Sequence, residues 1–353
     1  MDLKDFNYDL PTDLIGQKAI EPRDSCKLMV LDRKTNHISH HIFKDLASIL
    51  NEKYVLVIND TKVFPARLFG KKTSGGKVEI LLLRQTGQDS FDAIGKGGLK
   101  PEQEIVFDDS LVGKIENKNE AGEISIKFNL AGIDLLTAID EQGKTPLPPY
   151  IHSDEKEKTL REQYQTVYAN EKGSAAAPTA GLHFTKELLK ELEERGVSIK
   201  KVTLHVGLGT FRPVTNEQIA SKTLHVEHFS VSESTATSLN LAKKEGKKII
   251  AVGTTSCRVL ETLSSPDGTL RPGEGDTNIF IQPGYKFKFV DGLITNFHLP
   301  ETSLLMLVTA LTCSPNSPTV FKEFSETIIG KAYAEAVKNR YLFFSFGDAM
   351  LIL

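Results

Sequence analysis

Residues 234–261, STATSLNLAKKEGKKIIAVGTTSCRVLE, contain the pattern that decides the fold. The stretch from Ser234 to Glu245 has helical character, and Gly246 is a residue that commonly follows the end of a helix. The run from Lys247 to Val252 predicts a buried strand, and a Gly-Thr-Thr-Ser turn then leads to another helix from about Cys257. Helices that alternate with strands in this way are typical of an α/β protein.

The segment that precedes this unit has the same organisation. Thr185 is a favourable helix N-cap, Leu188 and Leu192 follow at helical spacing, and Gly196 lies just past the predicted end. A strand is predicted from Val197 to Val206. The α/β pattern therefore holds through much of the chain after residue 150.

Residues 61–147 have a different pattern, in which short alternating strands are separated by glycine-rich turns. Four strands are predicted here, at Lys77–Arg84, Phe91–Lys96, Glu104–Phe107 and Glu123–Phe128. Strands at this spacing without helices between them indicate a small antiparallel barrel or sandwich. The stiff segment Thr145–Tyr150, with three prolines, marks its end.

The predicted fold class is therefore a discontinuous α/β domain with an inserted antiparallel β-barrel domain. We expect residues 1–60 to form the first part of the α/β domain, residues 61–147 the barrel, and residues 148–353 the second part with the main active-site motifs. The strand Val55–Asn59 would be the point at which the chain leaves the α/β domain.

The composition is that of an ordinary globular protein. The chain has 353 residues, 40% hydrophobic and 25% charged, with a net charge of −3 that provides no overall attraction to nucleic acid. Its three cysteines form no C-x-x-C pair, which favours reduced thiols and a cytoplasmic location. The first residues lack a signal-peptide pattern, and no apolar run approaches the ~20 residues that span a bilayer.

Three familiar motifs fail on spacing. Gly207 and Gly209 begin a dinucleotide-binding pattern, but its third glycine would fall on Arg212. Residues 71–77 resemble part of a phosphate-binding loop without the Ser or Thr that would bind magnesium. His225, Glu227 and His228 lack the spacing of a zinc helix, so no metal site is predicted.

Three segments place a histidine among small or apolar residues. They are residues 174–185 with His183, residues 203–211 with His205, and residues 294–300 with His298. Each lies at the end of a predicted strand or just before a helix, where ligands bind in open α/β sheets. We expect them to converge on one crevice, which the backbone of Gly181, Gly207 and Gly209 can approach closely.

The turn Gly253–Ser256 adds a second ligand-binding feature. Because it opens a helix, its free N–H groups and hydroxyls suit an anionic or hydroxylated ligand, although plain helix capping explains it equally well. Arg258 and Glu261 are three residues apart on that helix, so they would face one side, and the alternative to a ligand role is that they pair with each other.

A local basic excess favours RNA binding by the predicted barrel. Residues 62–100 contain eight basic and three acidic residues. Lys71, Lys72 and Lys77 are the predicted RNA-binding residues, and the alternative is a solvated basic face.

Taken together, these segments resemble one family, the S-adenosylmethionine:tRNA ribosyltransferase-isomerases of the queuosine pathway. The resemblance extends from Tyr8-Asp-Leu-Pro11 to Gly347-Asp-Ala-Met350 and includes the three histidine segments. Further matching stretches are Asn59–Thr61 with Pro65–Arg67, Pro146–Ile151, Tyr164–Ala169, Gly253–Glu261 and Ile279–Tyr285.

The resemblance implies that the ribosyl part of S-adenosylmethionine is transferred and isomerised onto 7-aminomethyl-7-deazaguanine at the tRNA wobble position, while adenine and methionine leave. It implies no metal and no cofactor beyond the donor. The same resemblance implies an α/β domain with an inserted barrel and a cleft between them. We expect a monomer or a weak homo-oligomer.

The implied chemistry needs a base at C5′ of the donor and an acid that assists the departure of adenine. His183, His205 and His298 are the candidates, and their ordinary pKa of ~6.5 suits either task. Asp60 would bind ribose hydroxyls, Arg67 the methionine carboxylate, and Phe184 or Phe211 the sulfonium or the adenine ring. The predicted substrate-binding residues are Asp60, Arg67, Thr179, Gly181, Phe184, Gly207, Gly209, Phe211, Thr254, Thr255, Ser256, Arg258, Glu261 and Asn296.

The chain departs from the family pattern at Gln163, Lys222 and Leu342, which replace two arginines and a histidine. Two alternative functions are a tRNA methyltransferase that uses the same donor and an RNA-binding barrel protein without catalysis. The first would release S-adenosylhomocysteine, and the second would leave the histidine segments without a role.

Overall fold

The computed structural model describes residues 1–207 and 214–353. Its strands in chain order are β1 (Lys27–Asp32), β2 (His37–Ile42), β3 (Tyr54–Asn59), β4 (Thr61–Val63), β5 (Arg67–Lys72), β6 (Lys77–Gln85), β7 (Ser90–Lys96), β8 (Glu104–Val106), β9 (Val112–Lys118), β10 (Glu123–Phe128), β11 (Glu171–Ser174), β12 (Ser198–Leu204), β13 (Thr223–Val231), β14 (Lys248–Val252), β15 (Gly273–Ile279), β16 (Gly292–Asn296) and β17 (Ala349–Ile352). Its α-helices are α1 (Leu46–Ile49), α2 (Gly132–Gln142), α3 (Glu157–Gln163), α4 (Lys186–Glu194), α5 (Asn216–Ser221), α6 (Glu233–Lys244), α7 (Gly253–Leu263), α8 (Ser303–Thr312) and α9 (Ile328–Lys338).

A mixed nine-stranded sheet forms the centre of the α/β part. Its strand order is β15-β13-β12-β3-β14-β16-β17-β1-β2, and β12, β3, β14 and β16 run parallel. Strand β3 is apolar along almost its whole length and buried from Val55 onward, as expected for a parallel strand that is covered on both faces. The long α/β pattern of the sequence therefore corresponds to one sheet.

The inserted segment forms a closed barrel with the strand order β10-β7-β6-β5-β8-β9. Neighbouring strands are antiparallel, and alternate residues such as Leu68, Ile80 and Ile126 fill the interior. Helix α2 packs against this core through Leu135 and Ile139. The predicted fold class is confirmed.

Two barrel strands, β5 and β9, were absent from the sequence prediction, and the reason lies in their composition. Strand β5 carries Lys71 and Lys72, and β9 ends in Glu-Asn-Lys. One face of each strand is exposed to solvent, so neither has the apolar content that indicates a strand in isolation.

The chain enters and leaves the barrel side by side. The backbones of Arg67 and Lys144 exchange two hydrogen bonds, with N–O distances of 3.2 Å and 2.8 Å. Gly143 lies directly against the carbonyl of Pro65. The boundaries at residues 60 and 147 stay predictions.

The predicted helices agree closely with the structure, with one difference. Thr185 caps α4 by accepting a hydrogen bond from the N–H of Leu188 at 3.1 Å, and Gly196 follows with a φ of +84°. Helix α7, however, begins at Gly253 and not near Cys257. Gly253 has a φ of +85°, which lets the chain turn from β14 directly into the helix without a separate loop.

No helix in residues 1–207 and 214–353 is long and apolar enough to cross a membrane. The most apolar one, α8, has ten residues and lies in the core.

Candidate active site

A cavity of about 180 Å³ lies where β14 and β16 end and α7 begins. This is the carboxyl edge of the parallel strands, where open α/β sheets bind ligands. Six of the predicted site residues line it, namely Thr179, Thr254, Thr255, Arg258, Asn296 and His298. Apolar side chains such as Ile281, Leu304 and Leu307 form part of the remaining wall.

His298 lines this cavity, and hydrogen bonds to its backbone and its ring fix its position. The hydroxyl of Tyr8 donates a hydrogen bond to its carbonyl, and its backbone N–H donates to the hydroxyl of Tyr333 at 3.0 Å. Its ring Nε2 lies 2.9 Å from Oγ1 of Thr295. Burial lowers the pKa of His298 to about 3, so the imidazole is neutral at physiological pH.

His183 lies behind the cavity wall instead of lining it. Its Nδ1 is 3.2 Å from Sγ of Cys26, and its Nε2 is 2.9 Å from Nδ2 of Asn296. Burial, with a smaller effect from Arg23, lowers the pKa of His183 to about 4. His183 therefore reaches the cavity only through Asn296, which also accepts a hydrogen bond from Thr179 at 3.2 Å.

His205 lies in a second depression, a groove of about 860 Å³ between the barrel and the edge of the large sheet. Its Nδ1 is 2.8 Å from Oγ1 of Thr61, and its ring is nearly parallel to that of His228 at 6.3 Å. Burial, and then His228, lowers the pKa of His205. Gly207 also lines this groove.

The cavity and the groove adjoin each other. Leu224, His225 and Glu227 on β13 line both of them. The three histidine segments do meet at the cavity, because Thr179, Val206 and His298 all line it. Of their histidines only His298 lines the cavity, while His205 lies in the adjoining groove and His183 lies outside both.

Arg258 and Glu261 do not pair with each other, so that alternative is wrong. Nη1 of Arg258 donates to Glu227, while both side chains of this pair are more than nine-tenths buried. The carboxylate of Glu261 points away from the cavity, where it accepts hydrogen bonds from the hydroxyl of Tyr285 and from three backbone N–H groups at residues 288–290. Spacing along a helix does not reveal such long-range partners.

Asp60 and Arg67 do not line the cavity or the groove, so their predicted ligand contacts have no support. The buried carboxylate of Asp60 accepts a hydrogen bond from Thr203 at 2.8 Å, and burial raises its pKa. The guanidinium of Arg67 donates to Glu79 and to the carbonyl of Leu147. Arg67 therefore joins the barrel to the proline-rich segment that follows it.

Three further residues predicted to bind substrate line neither the cavity nor the groove, because they are packed within the protein. Phe184 belongs to the core beneath the sheet and contacts Phe43 edge to face. Gly181 packs against Tyr168, and the hydroxyl of Ser256 donates to the carbonyl of Val252 at 2.8 Å. Gly209 and Phe211 lie outside the described residues.

The site also contains residues that the sequence prediction did not select. Tyr150, Phe344 and Ser345 line the cavity, and the hydroxyl of Tyr150 lies 2.6 Å from Oγ of Ser345. Tyr150 belongs to the proline-rich motif, so a sequence pattern pointed to its neighbourhood. Phe344 and Ser345 reach the cavity through the path of the chain after α9, and no sequence pattern marks them. On the barrel side of the groove, Arg84, Asn117 and Asn119 were missed as well.

The departures from the family pattern do not reach the site, since Gln163, Lys222 and Leu342 line neither the cavity nor the groove. In the part of the chain that the structure describes, no three His, Cys, Asp or Glu side chains are grouped as metal ligands. Glu227 pairs with Arg258, and His228 lies between Glu274 and Asp276.

The lysines predicted to bind RNA lie on the outer surface of the barrel. Lys71 and Lys77 are exposed and directly opposite each other on β5 and β6. Lys72 is half-buried, and its Nζ donates to the carbonyl of Gly98 at 2.8 Å. Phe69, with 55% of its surface exposed, lies two residues from Lys71 on the same face.

The sequence and the fold both match known proteins. The chain matches the family described as "Queuosine biosynthesis protein" over residues 3–352. A protein of Symbiobacterium thermophilum named S-adenosylmethionine:tRNA ribosyltransferase-isomerase is 50% identical, and one of Clostridioides difficile with the same name is 49% identical; both matches cover 100% of each chain. The crystal structure of an S-adenosylmethionine tRNA ribosyltransferase from Thermotoga maritima is 34% identical, with a TM-score of 0.54 and coverage of 99% of this chain and 100% of that one.

The fold and the site thus define an α/β enzyme with an inserted barrel and a cleft between the two. The chain belongs to the queuosine biosynthesis protein family. The predicted enzyme class, ribosyltransferase-isomerase, is confirmed by these full-length relatives, and the methyltransferase alternative is not supported.

Proposed function

We propose that the chain transfers and isomerises the ribosyl part of S-adenosylmethionine onto 7-aminomethyl-7-deazaguanine in tRNA, with release of adenine and methionine. The observation that carries this proposal is the full-length identity of about half to proteins named for this activity. The adjoining cavity and groove provide two ligand-binding depressions for two substrates.

The sizes of the cavity and the groove favour different binding places for the donor and the acceptor nucleotide. The cavity of about 180 Å³ is smaller than the ~300 to 1,000 Å³ typical of small-molecule sites. The donor would therefore place one end in the cavity and extend past Leu224 and Glu227 into the groove. The acceptor nucleotide would approach through the groove, which is open on the barrel side.

The neutral histidines suit proton acceptance better than proton donation. Because burial lowers the pKa of His298, its imidazole is neutral at neutral pH and has one ring nitrogen whose lone pair can accept a proton. His298 is therefore our candidate for the base at C5′. His205 is only half-buried in the groove, so it takes up a proton more easily than the buried His298 and is the candidate acid that assists the departure of adenine. His183 positions Asn296 and Thr179.

The outer barrel surface is our candidate for tRNA contact. Lys71 and Lys77 supply positive charge, and the exposed ring of Phe69 offers a surface on which a base can stack. Leu83 and Arg84, on the same strand as Lys77, line the groove about 20 Å away at ~3.3 Å per residue.

We propose further that the reaction uses no metal or cofactor beyond the donor and takes place in the cytoplasm, on a monomer or weak homo-oligomer. The three free, buried cysteines suit a reducing compartment. Among the described residues, Glu227 at the groove pairs with Arg258, and His228 contacts Glu274 and Asp276.

The test is to supply the purified protein with S-adenosylmethionine and tRNA that carries the aminomethyl-deazaguanine, in the presence of a chelator. Adenine and methionine should appear in equal amounts. Formation of S-adenosylhomocysteine would show methyl transfer and overturn the proposal. Loss of activity upon chelation would overturn its metal-free part. The same tRNA with unmodified guanine is the control and should give no products.

A further inference from the structure

At the cavity wall, the guanidinium of Arg258 uses two of its three nitrogens in hydrogen bonds within the described residues. Its residue exposure is 8%, its Nε donates to the carbonyl of Ile279 at 3.3 Å, and its Nη1 donates to Glu227. Its Nη2 is buried and has no hydrogen-bond partner within residues 1–207 and 214–353. A buried N–H without an acceptor is costly, so this group is prepared for an acceptor that the ligand brings.

The start of α7 supplies a second, independent feature on the same wall. Gly253, Thr254 and Thr255 all line the cavity, and Val252 provides no side-chain cap for the helix. The first N–H groups of an uncapped helix lack partners in the helix and carry a partial positive charge. Thr254 and Arg258 are four residues apart and share one face, and long side chains on a helix lean back toward its first turn.

Glu227 fixes the guanidinium in this position. Its Oε1 accepts a hydrogen bond from the N–H of Gly207 at 3.1 Å, while its other oxygen accepts from Nη1 of Arg258. The pair is neutral overall, so the remaining attraction comes from Nη2 and the helix start. That combination suits a single negative charge.

We propose that Arg258 Nη2 and the start of α7 form an anion subsite that binds the α-carboxylate of the methionyl part of the donor, with Glu227 as the positioning residue. This inference rests on the proposed function, because it assumes that S-adenosylmethionine is the donor. The cavity holds only a small end group, which favours a carboxylate over an RNA phosphate that is flanked by nucleotides. Arg67, the residue expected from sequence to bind this carboxylate, is held outside the cavity by Glu79 and Leu147.

The experiment compares binding of S-adenosylmethionine with that of its decarboxylated analogue by equilibrium dialysis without tRNA. The wild-type protein should bind the intact donor about 10- to 100-fold more tightly, as expected for a charge-assisted hydrogen bond. Arg258→Gln should reduce this ratio to near one. The matched control is Arg67→Gln, which removes an arginine outside the cavity and should keep the wild-type ratio.

A second variant covers the case in which Arg258→Gln does not fold. The double variant Arg258→Gln/Glu227→Gln removes both members of the buried ion pair and leaves no unpaired charge. If its ratio stays at the wild-type value, the subsite is not at Arg258. A ratio near one in the wild-type protein would also overturn the inference, whereas no binding of either compound would overturn the proposed function itself. A KM for tRNA that rises in Arg258→Gln, with an unchanged ratio, would assign the anion to an RNA phosphate.

Discussion

Asn296 holds His183 in one tautomer. The Nδ2 of Asn296 donates both to the carbonyl of Phe344 at 3.0 Å and to Nε2 of His183 at 2.9 Å. Because a carbonyl can only accept, the orientation of the Asn296 amide is fixed, and Nε2 of His183 must be the acceptor. The proton of His183 is therefore on Nδ1 and faces Sγ of Cys26, so neither ring nitrogen is available to a substrate.

His183→Ala should therefore act mainly on stability. The substitution leaves Nδ2 of Asn296 without one of its acceptors and opens a space against Phe43, so we expect a loss of about 1 to 3 kcal/mol in the free energy of unfolding. Urea unfolding measures this loss, with His37→Ala on exposed β2 as the control. A stable His183→Ala protein whose kcat has fallen ~100-fold would instead place His183 among the proton carriers.

His298→Gln should show the opposite behaviour. Glutamine keeps a polar side chain of similar length but cannot accept a proton as imidazole does, so kcat should fall by ~100-fold or more. The melting temperature should change little. Exchange of the C5′ hydrogens of the donor in heavy water should also disappear, and continued exchange in this variant would assign the base to another residue.

The strongest sequence patterns predicted the fold, while the assignment of site residues was only partly right. Thr185, Gly196 and the apolar run ending at Val252 act locally, so their consequences are visible in the sequence. Arg258 and Glu261 show the limit, because the partners of each lie elsewhere in the chain and depend on how β13 and the residues after β15 pack against α7. Phe344 could not be predicted for the same reason, since its place at the cavity follows from the path of the chain after α9.

Acidification should destabilise the protein between pH 6.5 and 5.5 through the buried histidines. The pKa values of His183 and His298, about 4 and about 3, lie below the ordinary ~6.5, so the unfolded chain binds protons here that the folded chain does not. Stability is therefore present above pH 6.5 and is lost as the pH falls, by ~1 to 2 kcal/mol over this unit.

The measurement is urea unfolding of the wild-type protein and of His183→Gln/His298→Gln across this pH range. The double variant should lose less stability on acidification. The raised pKa values of Asp60 and Asp348 act in the opposite direction, but they are common to both proteins and cancel in the difference. Parallel pH profiles would mean that these histidines are not buried in the neutral form.

Glu261→Ala should unfold more easily without any direct effect on ligand binding. The substitution removes the acceptor of three backbone N–H groups at residues 288–290, and burial leaves those groups without water. We expect a loss of ~3 kcal/mol or more, compared with almost none for Glu187→Ala on the exposed face of α4. If Glu261→Ala were as stable as the wild-type protein but bound the donor weakly, Glu261 would belong to the ligand site as the sequence first indicated.

Replacing the exposed barrel lysines should change how tRNA binding depends on salt. Each phosphate contact releases about 0.9 counterion, so Lys71→Ala/Lys77→Ala should reduce the slope of log K against log salt by ~1 to 2. Lys72→Ala should have a smaller effect, because its Nζ already donates to the carbonyl of Gly98. Phe69→Ala should weaken binding by ~10-fold with an unchanged slope, since stacking releases no counterions.

Filter binding across a salt series measures all of these variants, and Lys190→Ala on α4 is the control. Because the groove lies about 20 Å from Lys77 along β6, donor binding should be the same in every variant. An unchanged slope in the double variant would move the RNA surface to another basic region, such as Lys200 and Lys201.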